Sequence, residues 1–241
     1  MAVILYVFPS ERSVKVNIQE KATKISSYTS KILRQKFGRG PESCHATISS
    51  NYLVLFIRGF ISPMEEVLLE KGQDKFVDHT RQVIIGHILE ELKGVVQVSL
   101  DVEVLEMFHD WNFSNNSGMM TLILDKSVEK HQHKPSFNLK MLEDEISRIT
   151  AIVQKTPDKI MTVPLSENII IVERIGILIL IEKALIQKGY QEELKITKDN
   201  LEKSYFHRDA NFTNIFGTHV LDLFIDWDFK EDKSIMCFII R

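Results

Sequence analysis

Apolar and polar positions follow two different periods along the first half of the chain. Ile18, Ala22, Ile25, Thr29, Ile32 and Phe37 recur at spacings of three, four and five, which is the mark of an amphipathic helix and predicts one from about Val14 to Phe37. Past Pro41 the pattern changes to an extended apolar run centred on Tyr52 to Phe60. The Ser-x-Asn of Ser49 to Asn51 just before it signals a tight turn, so a β-hairpin is expected. Ser62, Pro63 and Glu65 then spell a helix start, with serine as N-cap, proline at the first helical position and glutamate closing a capping box. This helix is interrupted near Gly72 and resumes with Phe76, Val77, Ile84, Ile85, Ile88 and Leu92 on one side. Glu103 to Asn112 and Met119 to Leu124 form a second strand pair across the loop Asn115 to Gly118.

The whole pattern then returns. Ile48 to Gln73 lies over Leu165 to Tyr190 without a gap, matching Ser49/Ser166, Asn51/Asn168, Gly59/Gly176, Glu65/Glu182, Leu68/Leu185, Lys71/Lys188 and Gly72/Gly189. Val104 to Asp125 lies over Val220 to Arg241 with the spacing one residue shorter, and its matches include Phe108/Phe224, Asp110/Asp226, Trp111/Trp227 and Phe113/Phe229. Two blocks in the same order describe a duplicated domain with a single deletion between them. Residues 1–125 are the first repeat, the polar stretch 126–136 is the linker, and 137–241 are the second repeat. The second repeat opens with a helix from about Leu139 to Lys155, carrying Leu142, Ile146, Ile149 and Val153 on its apolar face. Pro157 and the run Ile169 to Leu178 follow. It keeps Glu182 but has Ile179 and Leu180 in place of Ser62 and Pro63, so that helix start should be weaker or differently packed. Gly94 to Leu100 reads by itself as a strand. Its mate, Ala210 to Phe216, precedes Gly217, a typical residue just past a helix, and the long helix is therefore extended to about Val98. The expected fold is α+β: per repeat a helix, two strands, a long helix and two strands, with helices on one face of an antiparallel sheet.

Composition adds limits. The chain has 241 residues, 44% apolar and 26% charged, with a net charge of −3, enough to bury a core without staples. That balance argues against a globally basic nucleic-acid binder. Cys44 and Cys237 have no CxxC spacing and read as reduced thiols. The longest apolar runs, Met1 to Pro9 and Ile175 to Ile181, fall short of the roughly 20 residues of a spanning helix, and Met1 to Pro9 lacks the basic region of a signal peptide. A cytoplasmic protein is expected.

The usual catalytic constellations are absent from the sequence: no GxSxG, HExxH, Walker A, GxGxxG, EF-hand loop or paired CxxC occurs. No enzyme activity, cofactor or metal is therefore expected; His131 and His133 in the linker lack a third ligand nearby. Cys44, His45, His79, His87 and His109 leave room for a Cys–His pairing, against the plainer reading of His45 on a half-buried strand and the others on a helix facing solvent. Asp110-Trp111, repeated as Asp226-Trp227, sets a carboxylate beside an indole, a pair that lines a ligand site or packs a sheet edge. Gly38-Arg39-Gly40-Pro41 frees the backbone to approach an anion that Arg39 would hold, and equally marks a helix stop. Lys21, Lys24, Tyr28 and Lys31 share the helix face opposite the apolar stripe, in a segment with seven basic residues and one acidic. Such a face docks on phosphate or an acidic partner, or is simply solvated. Acidic residues concentrate at Asp222, Asp226, Asp228, Glu231 and Asp232, which would suit association between the repeats.

Taken in order, Gly38 to Pro41, Leu53 to Gly59, Ser62 to Glu65, Arg81, Asp110 and Met119 to Leu124 make the first repeat resemble the bacterial MpsC-like family. The second resembles it through the first, keeping Pro157, Glu182, Gly217 and Asp226 but lacking the glycine loop and an arginine in place of Arg81. The resemblance implies association with a bacterial system that generates membrane potential and takes up inorganic carbon. It also implies that the tandem pair is an internal pseudo-dimer of what single-domain relatives form with two chains. The expected function is a non-enzymatic cytoplasmic binding or accessory module with a protein partner. The candidate contact residues are Gly38, Arg39, Gly40, Pro41, Lys21, Lys24, Lys31, Arg81, Asp110 and Trp111. The alternatives are a small-anion or nucleotide sensor using the Gly38–Pro41 loop and nucleic-acid binding through the basic first helix.

Overall fold

A computed structural model describes residues 11–128 and 133–241, with the side chains of 11–16 left aside. The run Met1 to Pro9 and His131 lie outside the described residues. The first repeat comprises α1 (Glu11–Phe37), β1 (Ser43–Ser49), β2 (Tyr52–Arg58), α2 (Pro63–Glu70), α3 (Asp74–Leu100), β3 (Val104–Asn112) and β4 (Ser117–Leu124). The second comprises α4 (Leu139–Val153), β5 (Lys159–Pro164), β6 (Ile169–Ile175), α5 (Leu180–Gln187), α6 (Gln191–Asp209), α7 (Phe212–Phe216), β7 (Val220–Asp228) and β8 (Lys233–Ile240). Each repeat builds a four-stranded antiparallel sheet, ordered β1-β2-β4-β3 and β5-β6-β8-β7.

Period-two alternation decides what each sheet face buries. Leu53, Leu55 and Ile57 of β2, with Met120, Leu122 and Leu124 of β4, face the helices and join Ile25, Ile32, Ile88 and Leu92 in one core. Ile170, Val172, Met236 and Phe238 do the same under α4 and α6. The alternate residues, Tyr52, Val54, Phe108, Met119 and Ile123 from one sheet and Ile169, Ile171, Phe224, Ile235, Cys237 and Ile239 from the other, form a third core between the repeats. The layers therefore run helix, sheet, sheet, helix, and both faces of both sheets are covered. The predicted α+β arrangement is the one observed.

Two repeated polar devices hold the loops. Asn51 and Asn168 are the last residues of the hairpin loops and clip the end of the sheet, their carbonyls accepting from the Leu124 and Ile240 N–H groups at 2.8 and 2.9 Å. Asn116 and Asp232 sit at positive φ in the β3–β4 and β7–β8 turns. Each side chain accepts two backbone N–H groups of the loop leading into α2 or α5, from Phe60 and Ile61 at 2.7 and 2.9 Å and from Ile177 and Leu178 at 2.9 and 2.8 Å. Those loops begin at Gly59 and Gly176, both near φ +65°, where a Cβ would collide with Glu42 or Asp158.

Under each loop a buried cation is pinned to the capping glutamate. Arg81 is 1% exposed; its Nε and Nη2 donate to Glu65 at 2.7 and 2.9 Å, and Nη2 also donates to the Phe60 carbonyl at 2.7 Å. Its guanidinium lies 4.5 Å from the Trp111 ring. Burial alone would raise the Glu65 carboxyl, but Arg81 and the Ser62 amide and hydroxyl hold it below the usual carboxylate range. In the second repeat Lys198 occupies the place of Arg81 and reaches Glu182 at 2.8 Å, and the Ile179 N–H keeps the glutamate half of the capping box at 2.9 Å. Lysine cannot fork as arginine does. A second buried pair stands beside it: Arg174 and Glu202, both fully buried at 2.7 Å, occupy the places of Ile57 and Ile85, and Arg174 donates also to Ser234 and Thr150 at 2.8 and 2.9 Å. The second repeat lacks an arginine at the place of Arg81, yet it buries one on the facing strand.

The single deletion explains the one difference in element order. Losing a residue inside a helix turns everything after it by about 100°, which would swing the final apolar turn out of the core. α3 runs unbroken to Leu100, whereas α6 stops at Asp209, Ala210 adopts an extended conformation, and α7 restarts so that Phe212 and Phe216 are again buried. The structure also corrects the placement of His109: it lies on β3 and is not on a solvent-facing helix. His79 and His87 are on α3 and exposed, and His45 is exposed on β1, turned away from the half-buried thiol of Cys44.

Arg81→Ala would leave Glu65 buried without its cation, a change that costs roughly 3–5 kcal/mol. Urea denaturation should therefore show a large drop in midpoint for R81A. The exposed control Arg34→Ala should leave it almost unchanged.

Candidate functional site

Edge strands expose unpaired N–H groups, and the two repeats meet along theirs, β3 against β7. Asp110 accepts the Ile225 N–H at 2.7 Å, and Asp226 accepts the His109 N–H at 2.7 Å. Each aspartate also accepts the N–H of its own following tryptophan, at 2.6 and 2.8 Å. These bonds exchange symmetrically between the copies and place a pseudo-twofold axis between the two Asp-Trp pairs. Flanking contacts tighten the junction. Asn112 and Asn115 donate to Asp222 at 3.0 and 2.6 Å, the Tyr52 hydroxyl donates to Glu173 at 2.7 Å, and Lys233 bridges Glu106 and Glu173 at 2.9 and 3.2 Å. Asp222 and Asp226, read from sequence as part of an acidic surface, are buried here.

The symmetry stops at the helices above the strands. α6 supplies Lys195, 2.6 Å from Asp226, and Lys203, 2.6 Å from Asp110 and 2.7 Å from Asp199. At the matching positions α3 carries Asp78, Gln82 and Gly86 in place of Lys195, Asp199 and Lys203. A cavity of about 300 Å³ opens between these helices, with His109 to Asn112 of β3, Phe113 and Ser114 of the turn after it, Ile225 and Trp227 as its floor. Three polar atoms on floor residues are buried without a hydrogen-bond partner: His109 Nδ1 and the indole Nε1 atoms of Trp111 and Trp227.

Burial shapes the titration of the site. It pushes the Asp199 carboxyl up to about 8, reinforced by the nearby Asp110 charge, and raises Asp78 and Asp110 as well. Lys203 is raised despite its burial because Asp110 and Asp199 hold its charge. Burial pushes His109 down to about 4, so its imidazole is neutral at pH 7. The site thus offers a neutral histidine, a protonatable carboxyl and two paired ammonium groups to anything that enters.

The residues expected from sequence to act together are dispersed. Asp110 and Trp111 line the cavity. Arg81 lies in the core beneath Trp111, with its guanidinium spent on Glu65 and Phe60. Gly38, at φ +74°, and Gly40 end α1; Arg39 stands half-exposed 3.9 Å from Glu42 and 3.4 Å from the Ile61 carbonyl, and Pro41 follows. Lys24 and Lys31 are exposed on α1 and Lys21 is partly so. No three His, Cys, Asp or Glu side chains converge to hold a metal ion among the described residues, and His133 is exposed. Sequence reasoning did not pick out Asp78, Lys195, Asp199 or Lys203. The available signal was the polar series Lys195, Asp199, Lys203, one helical turn apart, on a helix whose first-repeat mate is apolar at more of its inward positions.

Two α+β domains joined through paired edge strands, each with a cation under its capping glutamate, form a tandem repeat of a single domain type. The family model described as "Na+-translocating membrane potential-generating system (MpsC)" matches residues 17–126 and 139–241. The chain belongs to the MpsC family and carries the family's domain twice, the second copy matching directly. No curated protein and no solved structure matches it.

The pH dependence of stability tests the buried carboxyl. Asp199 rises from 3.8 to about 8 on folding, so the folded state holds a proton that the unfolded state has lost, and stability falls as pH rises towards 8. His109 drops from 6.5 to about 4 and acts oppositely, adding stability as pH rises through that interval. Between pH 6.5 and 8 only the Asp199 effect is left of the two. Thermal melts of the wild type should decline across that window, and Asp199→Asn should flatten the decline.

Proposed function

We propose that this protein is a non-enzymatic cytoplasmic accessory module that serves the membrane-potential-generating system for which its family is named, and that it docks on an acidic partner through the outer side of α1. The family name supports the association, and among the described residues no helix is long and apolar enough to cross a membrane. The observation that carries the reading is a contrast between cations. Lys195 and Lys203 of α6 at the junction, and Lys198 beneath the loop into α5, are all held in ion pairs. Lys24, Lys31 and Arg34 stand exposed on α1 with no acidic partner within 4 Å among the described residues. A stripe of uncompensated charge steers an acidic partner and fixes the register of docking.

The test compares wild type with Lys24→Glu/Lys31→Glu in co-sedimentation with membrane vesicles from cells that make the system and from cells that lack it. Wild type should sediment only with the first kind, less as salt rises. The double reversal should weaken binding about tenfold or more while leaving the circular dichroism unchanged. Equal sedimentation of both proteins would refute the docking surface. Salt-sensitive binding to duplex DNA with no binding to vesicles would favour a nucleic-acid partner in its place.

A further inference from the structure

The start of α5 stands apart from both the junction cavity and the α1 surface. We infer that it rests on an anionic lipid surface, with Leu180 and Ile181 set below the headgroups and Lys155 and Lys183 among the phosphates. The two repeats fill this place differently. In the first, Ser62 caps α2 through its hydroxyl, Pro63 takes the first helical position, and Glu66 and Glu70 face solvent. In the second, Ile179, Leu180, Lys183 and Gln187 stand in those four places, and Ile179 supplies no side-chain cap. Losing a cap weakens a helix start, and Leu180 recovers little of that by packing. It is 87% exposed, and Ile181 beside it is 64% exposed.

Charge selects the occupant. Lysine for Glu66 and glutamine for Glu70 remove two carboxylates from the outer side of the helix and add an ammonium group. Lys155 and Lys183 flank a shallow hollow lined by Leu178 to Ile181, so both ammonium groups stand at the rim of the apolar tip. Their partners are Asp158 at 3.2 Å and Asp232 at 2.8 Å, in pairs that leave the lysines 38% and 48% exposed. Pairs so open to solvent hold weakly and release the lysines to a phosphate. Lys188, at the far end of α5, is exposed with no acidic partner within 4 Å among the described residues. Apolar and basic residues together on the outer side of a helix suit the plane of a lipid interface, where lysine stems lie along apolar surface and their heads reach the phosphates. Two side chains bury less than a myristoyl chain, which alone binds only marginally, so half-binding falls at roughly 1 mM lipid. Dilute membranes are not sedimented through this contact alone, and it adds to whatever hold α1 provides. It does not depend on the α1 reading, because vesicles without protein test it by itself.

The test is flotation with synthetic vesicles of phosphatidylcholine, with and without about one-third phosphatidylglycerol. Wild type should float with the anionic vesicles and bind the neutral ones at least about tenfold more weakly. Leu180→Ser/Ile181→Ser, which changes no charge, should weaken anionic binding about tenfold or more. Met64→Ser/Val67→Ser, at the start of α2, should not. All four side chains are exposed, so circular dichroism of both variants should match wild type. Trp111 and Trp227 are buried, and Leu180→Trp therefore adds one exposed indole, whose emission should shift to the blue on anionic vesicles. Adding Lys24→Glu/Lys31→Glu to it should leave that shift intact at saturating lipid; its loss would place the lipid contact on α1. The inference is overturned if no vesicle is bound up to about 10 mM lipid, if the serine pair at Leu180 and Ile181 floats as wild type does, or if Leu180→Trp floats without a shift. Self-association that this serine pair abolishes, with no flotation, would assign the tip to a second copy of the chain and sink the lipid reading.

Discussion

The architecture depends on the reciprocal bonds between Asp110 and Asp226 and the backbone N–H groups of the opposite strand. Without them, β3 and β7 would present bare edges to each other inside a buried junction, where an unpaired N–H is expensive. With them, two sheets that each need a cover for their second face become that cover for one another. The apolar layer from Tyr52 to Ile239 then follows from simple alternation along strands whose other face is already packed under helices. The cavity follows too, because the aspartates that seal the edges recruit Lys195 and Lys203 from above and so fix where α6 lies.

Much of each repeat was legible because its signals are local. The helical period of α1, the Ser-x-Asn turns and the Ser62-Pro63-Glu65 start each specify a structure within a few residues. Internal repetition settled the one ambiguous stretch, since Gly217 shows that Gly94 to Leu100 ends a helix. The same repetition drew attention to Asp110-Trp111, which does sit at the junction.

What stayed hidden joins positions distant in sequence. The pairing of Arg174 with Glu202 replaces two isoleucines at once, and neither change makes sense without the other. Lys203 reaches Asp110 across the boundary between domains, so no reading of α6 alone reveals its partner. Arg81 entered the candidate contact residues through the family resemblance alone. Its actual surroundings, a capping glutamate, a carbonyl and four aromatic rings, come from α1, α2, β3 and two loops.

The broken symmetry above the strands shows what joining two domains in one chain makes available. In a dimer of identical chains every substitution is made twice, so an aspartate at the position of Asp78 would recur at the position of Lys195, and two carboxylates would share the pseudo-twofold neighbourhood with no lysine between them. A tandem chain can change one side alone. Its halves stay docked with a weaker mutual affinity than two separate chains would need, because the linker keeps each at high effective concentration for the other. Fusion therefore lowers the affinity that the interface must supply and frees one flank of it to diverge into an asymmetric pocket, which a strictly twofold assembly cannot form on its axis.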